Sequence, residues 1–269
     1  DVMLGDQTER IVTVLFTDIR DYTSLRETMT PQENFNFVNA YNGRMGPFIR
    51  KHHGFINQYL GDAIMAVFPQ KPVDALQSAI DMQAVLRKYN LERIAKGKRP
   101  IRAGTGLHTG HLIMGIIGDH LRLDAATISD TVNTASRIEC LTKHYCVNIL
   151  ISEDCWRQSR STNANYTFRY LGKVQVKGRR EPIKIYECIN GDAPEVIEKR
   201  KSAQKLDVLV PFIMPPELKP FGYYVASPGQ NITGKNHVLG RDAEVDANQG
   251  FKGVIALRLA IFVGLVQEL

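Results

Sequence analysis

The order of hydrophobic and polar positions predicts a chain in which strands and helices succeed one another. Residues 10–16 alternate in character and are rich in β-branched side chains, which predicts a buried strand. Residues 30–33 form a capping box with proline at the first helical position, and apolar residues at helical spacing follow. Two apolar runs, 55–60 and 63–68, flank a Gly-Asp step and predict a β-hairpin.

The pattern continues to about residue 190. An apolar stripe over 76–86 predicts a second long helix, and Ser129 with Asp130 forms the cap of a third over 131–141. Further strands are predicted at 101–112, 149–151, 166–176 and 183–189, with a basic turn at 177–180. This order favours an α+β or α/β fold, with helices packed on a mixed sheet.

Composition narrows the class of protein. The 269 residues are 43% hydrophobic and 23% charged, which is typical of a globular protein and excludes collagen-like or wholly disordered chains. The net charge of +6 is spread along the chain, so it favours a nucleotide ligand over a nucleic acid. No apolar run reaches the ~20 residues that span a bilayer, and the four cysteines lack metal-ligand spacing. We therefore expect a cytoplasmic protein without membrane insertion.

The character of the sequence changes after about residue 191. Residues 193–269 contain several prolines and glycines and only one brief apolar stretch. We therefore expect one domain over residues 1–192, followed by an appendage of unknown order and function over 193–269.

Two carboxylates stand where packing does not need them. Asp18 ends the first strand and Asp62 lies at the tip of the predicted hairpin. Side by side they would form a hard oxygen site for Mg²⁺ or Mn²⁺, whereas the alternative is that each only caps a turn.

Cations at element ends add to this picture. Arg102, Arg137 and Lys177 could reach a phosphate chain without being buried, although any one of them could be a solvated surface charge. Asn133 and Arg137 are four residues apart and share a helix face.

Five motifs in order resemble the catalytic domain of class III nucleotidyl cyclases, in particular the bacterial-type adenylate cyclases (class IIIb-like). They cover roughly residues 8–190 and lie at residues 16–20, 59–68, 104–110, 130–139 and 176–178. The resemblance implies a ferredoxin-like βαββαβ core with extra C-terminal strands. It also implies a head-to-tail homodimer with active sites at the interface, ATP as substrate and two divalent metal ions.

Residue by residue, the resemblance assigns roles to the positions that match. Asp18 and Asp62 match the metal-binding pair, with the carbonyl of Ile19 as a further ligand. Asn133 and Arg137 match the pair that the other subunit contributes to the transition state.

The same resemblance assigns the phosphate contacts. Arg102 and Lys177 match the cations that hold the triphosphate. The backbone from Ile19 to Thr23, which includes Asp21 and Tyr22, matches the turn that wraps the phosphates.

The base-reading positions depart from the family. Gln58 stands where adenine-reading members carry Lys, and Ala126 stands where they carry Asp or Thr. A glutamine amide can face either purine, and alanine offers no hydrogen bond, so we expect weakened discrimination between ATP and GTP. Three alternatives remain: an adenylate cyclase, a guanylate or mixed-purine cyclase, and a catalytically weak regulatory or dimerisation module. Members of the family commonly carry an upstream regulatory domain, and this chain could be a fragment of such a protein.

Overall fold

The structure is a computed structural model that describes residues 7–118, 123–160, 165–175 and 181–198. Within these ranges the strands are β1 (Gln7–Ile19), β2 (Phe55–Leu60), β3 (Ala63–Phe68), β4 (Ala103–Gly118), β5 (Leu123–Ile128), β6 (Ile149–Ser152), β7 (Phe168–Val174) and β8 (Ile183–Cys188). The helices are α1 (Tyr22–Arg26), α2 (Pro31–Lys51), α3 (Pro72–Ala95), α4 (Asp130–His144) and α5 (Glu153–Ser159), and a single 3₁₀ turn follows β8.

All eight strands belong to one sheet. Its order is β2-β3-β1-β4-β6-β8-β7, and β5 pairs with the far end of β4. The β4–β6 pair is parallel, whereas the other ladders between described strands are antiparallel. The fold is thus α+β, with one mixed, mostly antiparallel sheet flanked by helices, as the sequence predicts.

Alternation along β1 sends successive side chains to opposite faces of the sheet. Leu15 and Ile19 join the core beneath α2 and α3. Val14 and Phe16 join a second cluster on the other face, where Ala135 of α4 covers them. The strand therefore carries its C-terminal end, with Asp18, into the space between two packed layers.

Local sequence signals located most of the boundaries. The side chain of Thr30 accepts a hydrogen bond from the backbone N–H of Glu33, and the Glu33 carboxylate accepts one from the backbone N–H of Thr30, so the predicted capping box is confirmed. The predicted hairpin is also confirmed, with Gly61 in the left-handed region at φ 66°. The sequence did not predict β5, whose six residues include an aspartate and two alanines, residue types that disfavour strands.

Part of the predicted organisation lies outside the described residues. This applies to the basic turn at 177–180 and to residues 199–269 of the predicted appendage. Among the helices that the structure describes, none combines the length and the hydrophobicity needed to cross a membrane.

Candidate active site

Asp18 and Asp62 come to neighbouring positions through the pairing of β1 with β3. Thr17 lies opposite Ile64 in this antiparallel ladder, so the following residue of β1 and the turn before β3 emerge at the same end of the sheet. The side chain of Asp18 is buried, with 8% of the residue exposed, and that of Asp62 is half-buried. The fold therefore places Asp18 near the end of β1 and Asp62 in the turn before β3, at the same end of the sheet.

The buried hydroxyl of Tyr41 is influenced by the charges of both Asp18 and Asp62. Tyr41 projects from α2 and is fully buried. Burial raises the pKa of Tyr41 well above its usual range, and the negative charges of Asp18 and Asp62 add to that rise. Both carboxylates therefore contribute to the electrostatic surroundings of this one buried side chain.

The donor set here suits a hard divalent cation. Two carboxylates and the nearby carbonyl of Ile19 are oxygen ligands of the kind that Mg²⁺ and Mn²⁺ prefer. In the described ranges no three or more His, Cys, Asp or Glu side chains are grouped so as to hold a metal ion. A metal at this position would therefore complete its coordination with the backbone and with substrate oxygens, as Mg²⁺ commonly does.

The turn after β1 has an unusual backbone conformation. Asp21 adopts left-handed dihedral angles, φ 56° and ψ 29°, immediately before the short helix α1. Tyr22 anchors this helix because its hydroxyl donates to Oδ1 of Asn34 at 2.7 Å and its ring stacks on Phe37. Tyr22 and Thr23, expected from the resemblance to lie in a phosphate-wrapping turn, begin α1 in the structure.

Charged side chains connect this turn to α4, a contact that the sequence did not predict. The Nη2 atom of Arg20 donates to the carbonyl of Thr142 at 3.2 Å and also to that of Val147. Nζ of Lys143 lies 3.1 Å from Oδ1 of Asp21. These partners are more than 120 residues apart in the chain, so no local pattern could have revealed them.

Arg102 also reaches the turn. It precedes β4, its side chain is 70% exposed, and its Nη2 atom lies 3.8 Å from Oδ2 of Asp21. The hydrogen bond from Lys143 and the positive charges of Lys143 and Arg102 hold the pKa of Asp21 below its usual value. The carboxylate is therefore ionised at neutral pH, between two cations.

Asn133 and Arg137 occupy successive turns of α4, as predicted. Asn133 is exposed and Arg137 is half-buried. Burial lowers the pKa of Arg137, while the charge of Asp130 opposes this. The Nη1 atom of Arg137 is buried and has no hydrogen-bond partner among the described residues, so this guanidinium could accept an anionic ligand.

Arg137 turns away from the strands that carry the aspartates. On the helical wheel of α4 it lies about 140° from Val132 and about 40° from Leu141. Val132 packs on the cluster formed by β1 and β3, whereas Leu141 packs on that formed by β6, β7 and β8. Arg137 therefore projects from a different face of α4 than Val132, which packs on the β1–β3 cluster.

The two predicted base-reading positions lie on different strands. Gln58 is half-buried on β2, next to a bulge, and pairs with Met65 of β3. Ala126 is half-buried on β5, opposite Gly115 of β4. Lys177, the second predicted phosphate cation, lies outside the described residues.

Comparison with known proteins points to one family. The pattern of the adenylate and guanylate cyclase catalytic domain matches residues 5–190. An adenylate cyclase from Anabaena cylindrica is 45% identical over 193 residues, which cover 70% of this chain and 38% of that protein. The chain therefore spans well under two thirds of that relative's length.

Solved structures agree with the sequence comparison. The adenylyl cyclase CyaB from P. aeruginosa is 26% identical with a TM-score of 0.62, and the match covers 70% of this chain and 97% of that one. The guanylyl cyclase Cya2 is 28% identical with a TM-score of 0.60, over 71% of this chain and 97% of that one. The structural likeness is thus nearly equal for an adenylyl and a guanylyl cyclase.

Proposed function

Because the chain belongs to the adenylate and guanylate cyclase catalytic domain family, we propose that it is an adenylate cyclase, which converts ATP to 3′,5′-cyclic AMP and pyrophosphate. The observation that carries this proposal is that the pairing of β1 with β3 brings Asp18 and Asp62 to the same end of the sheet. The 45% identity to an adenylate cyclase supports ATP as the substrate.

The first half of the proposed site binds the phosphates. Asp18, Asp62 and the Ile19 carbonyl would hold two Mg²⁺ or Mn²⁺ ions. When bound, these ions would activate the ribose 3′-hydroxyl and neutralise the charge of the phosphates. The backbone of residues 19–23 and the Arg102 guanidinium bind and orient the triphosphate, together with Lys177. Their part is to hold the α-phosphate in line with the attacking hydroxyl.

The second half acts on the transition state. Arg137 stabilises the charge that develops on the α-phosphate, and Asn133 orients the ribose through its ring oxygen. The buried Nη1 atom of Arg137, without a hydrogen-bond partner in the described part of the chain, supports this role because a phosphate oxygen would supply one.

The two halves come from different chains in this proposal. Arg137 projects from a face of α4 about 140° from Val132, which packs on the β1–β3 cluster, and so it does not face that cluster within its own chain. A symmetric head-to-tail homodimer would bring α4 of one protomer to the aspartates of its partner. Two equivalent sites would then form at the interface.

A specific observation favours a second candidate, a guanylate or mixed-purine cyclase. Gln58 can present its amide in either orientation, and Ala126 offers no side-chain hydrogen bond to a base. The likeness to a guanylyl cyclase structure adds to this. The candidates differ only in base selectivity, because both use the same metal and phosphate contacts.

A product assay tests the proposal. Purified protein is incubated with ATP or GTP in parallel, with Mg²⁺ or Mn²⁺, and cyclic nucleotide and pyrophosphate are both measured. We expect more cyclic AMP than cyclic GMP, and we expect Asp18→Asn or Asp62→Asn to abolish it. Asp154→Asn, at an exposed position on α5, is the matched control and keeps full activity.

Other results of the product assay would favour a different function. Cyclic GMP in excess would establish the second candidate. Absence of product with both nucleotides and both metals would contradict the proposal and favour a regulatory or dimerisation role for the fold. Unchanged turnover in the Asp18 and Asp62 variants would contradict the assignment of the metal-binding pair.

A further inference from the structure

Three charged side chains meet at the turn after β1. Asp21 provides the carboxylate, Lys143 approaches its Oδ1 atom at 3.1 Å, and Arg102 approaches its Oδ2 atom at 3.8 Å. The three residues come from the β1–α1 turn, the last turn of α4 and the position immediately before β4. All three belong to one chain, so this cluster does not depend on any dimer.

The backbone around the cluster is fixed by other contacts. The carbonyl of Asp21 accepts a hydrogen bond from the backbone N–H of Leu25, and the N–H of Arg20 donates to the carbonyl of Arg102. Arg20 also holds the end of α4 by donating to the carbonyls of Thr142 and Val147. The end of α4 is therefore already tied to the turn without the side chain of Lys143.

The charges in the cluster do not balance. One carboxylate faces two cations, and the half-buried Arg20 beside the turn interacts with the carboxylate of Glu139 as well as with that of Asp21. All three side chains of the cluster are more than half exposed. An ion pair at this exposure is weak and readily exchanged, so a more highly charged anion could take the place of the carboxylate.

On the basis of the function proposed above, we propose that Lys143 is a further cation for the phosphate chain of the nucleotide, and that Asp21 holds Lys143 and Arg102 until phosphate displaces its carboxylate. The chemistry is the same in both states, because an ammonium and a guanidinium exchange carboxylate oxygens for phosphate oxygens. The turn whose backbone is proposed to wrap the phosphates thus carries its own competing anion.

A simpler role for Lys143 makes a different prediction. If Lys143 only neutralised Asp21 or strapped α4 to the turn, it would influence phosphate binding through Asp21 alone. If Lys143 binds phosphate itself, its removal weakens binding even when the carboxylate is absent. A double-mutant cycle on Asp21 and Lys143 separates these roles.

The probe is inorganic triphosphate, and its binding in the presence of Mg²⁺ is measured by calorimetry. The proteins compared are the wild-type chain, Lys143→Gln, Asp21→Asn and the double variant. We expect Lys143→Gln to weaken binding about two- to fivefold and Asp21→Asn to tighten it by a similar factor, the range of exposed charge pairs. Both effects are expected to shrink as salt is added. In the Asp21→Asn background, Lys143→Gln is still expected to weaken binding.

The control is Lys51→Gln. Lys51 is similarly exposed and pairs with Asp81 at 3.0 Å, but it lies at the end of α2 and touches none of the turn. We expect this variant to bind triphosphate like the wild type. Thermal unfolding of every variant identifies any loss of folded protein.

Two results would overturn the proposal. One is that Lys143→Gln has no effect in the Asp21→Asn background; the other is that Asp21→Asn weakens triphosphate binding. The KM for ATP gives a second readout, which is expected to change with little change in kcat. Failure of the proposed cyclase activity is recognised separately, since it abolishes product formation by the wild-type chain and leaves the triphosphate titration unaffected.

Discussion

We propose that two single residues set the selectivity for the purine base. Gln58 and Ala126 stand where adenine-reading members of the family carry Lys and Asp or Thr. A hydrogen bond lost between a buried base and its pocket costs about 1–3 kcal/mol, which is about ten- to a hundredfold in selectivity. The same fold could thus pass from a selective to a permissive cyclase through two side chains.

Restoring those side chains gives a prediction. We expect the double variant Gln58→Lys with Ala126→Asp to raise the ratio of kcat/KM for ATP to that for GTP about tenfold or more, because an ionised carboxylate can only accept hydrogen bonds and so suits the N6 amino group of adenine but not the O6 carbonyl of guanine. The measurement is cyclic nucleotide formation from each substrate. A ratio that stays at the wild-type value, in a variant that unfolds at the wild-type temperature, would show that other groups read the base.

At the scale of elements, the position of α4 depends on glycines in β4. A Cβ atom added to Gly106 would lie 2.2 Å from the backbone nitrogen of Glu139 and 2.8 Å from the carbonyl oxygen of Ala135. Such contacts with backbone cannot be relieved by a rotamer change. The helix that bears Asn133 and Arg137 therefore lies at a distance that only glycine permits.

We expect Gly106→Ala to lower the free energy of unfolding by about 1–3 kcal/mol, because the helix must move away from the sheet. Turnover is expected to fall further than this loss explains, since α4 carries two site residues. Gly43→Ala is the control, because a Cβ at this helical position meets nothing within 4 Å. That substitution should stabilise the protein by about 0.5–1 kcal/mol. Equal effects of both substitutions on denaturant unfolding would refute the steric argument.

The contact between α2 and α3 includes a charged network that is sensitive to pH. Oδ2 of Asp81 lies 2.9 Å from Nε2 of His52 and 3.0 Å from Nζ of Lys51, and Gln77 donates to Oδ1. Partial burial raises the pKa of Asp81, but these hydrogen bonds outweigh it and leave the pKa below its usual value. A carboxyl group whose pKa is lower in the folded state contributes stability above the unfolded pKa and loses it as pH falls through the folded value.

Asp81→Asn is therefore expected to lower the free energy of unfolding by about 1 kcal/mol at neutral pH. The penalty should shrink as pH falls below the unperturbed carboxyl value of 3.8, because the wild-type side chain then becomes protonated as well. Denaturant unfolding of both proteins at neutral and acid pH measures the difference. An equal penalty at both values would show that charge on Asp81 contributes nothing.

The sequence predicts an element well when the interactions that stabilise it join residues that are close in the chain. The capping box at Thr30 and the left-handed Gly61 act within a few residues, so the helix and the hairpin were predictable. The strand β5 was not predicted, because its stability comes from pairing with β4 rather than from its own residues. The contact of Lys143 with Asp21 joins positions 122 residues apart and depends on how α4 lies across the sheet.

At the scale of the whole molecule, the proposed active site is larger than one chain. Asp18 and Asp62 lie at the end of β1 and β3, whereas Arg137 lies on the other flank of α4. Sequence motifs could match these residues to one family. They could not show whether the side chains face one another within one chain, because tertiary packing sets their directions. We propose that the two sets meet across an interface between chains.

The most direct test of this account mixes two inactive chains. Asp62→Ala removes a proposed metal ligand and Asn133→Ala removes a proposed transition-state contact, so each variant alone is expected to be inactive. In a random mixture half of the dimers are mixed, and each has one intact site of two, which predicts up to about a quarter of wild-type activity. Rescue to this level would support a site shared between chains. No activity in mixtures proven to contain the heterodimer would contradict it.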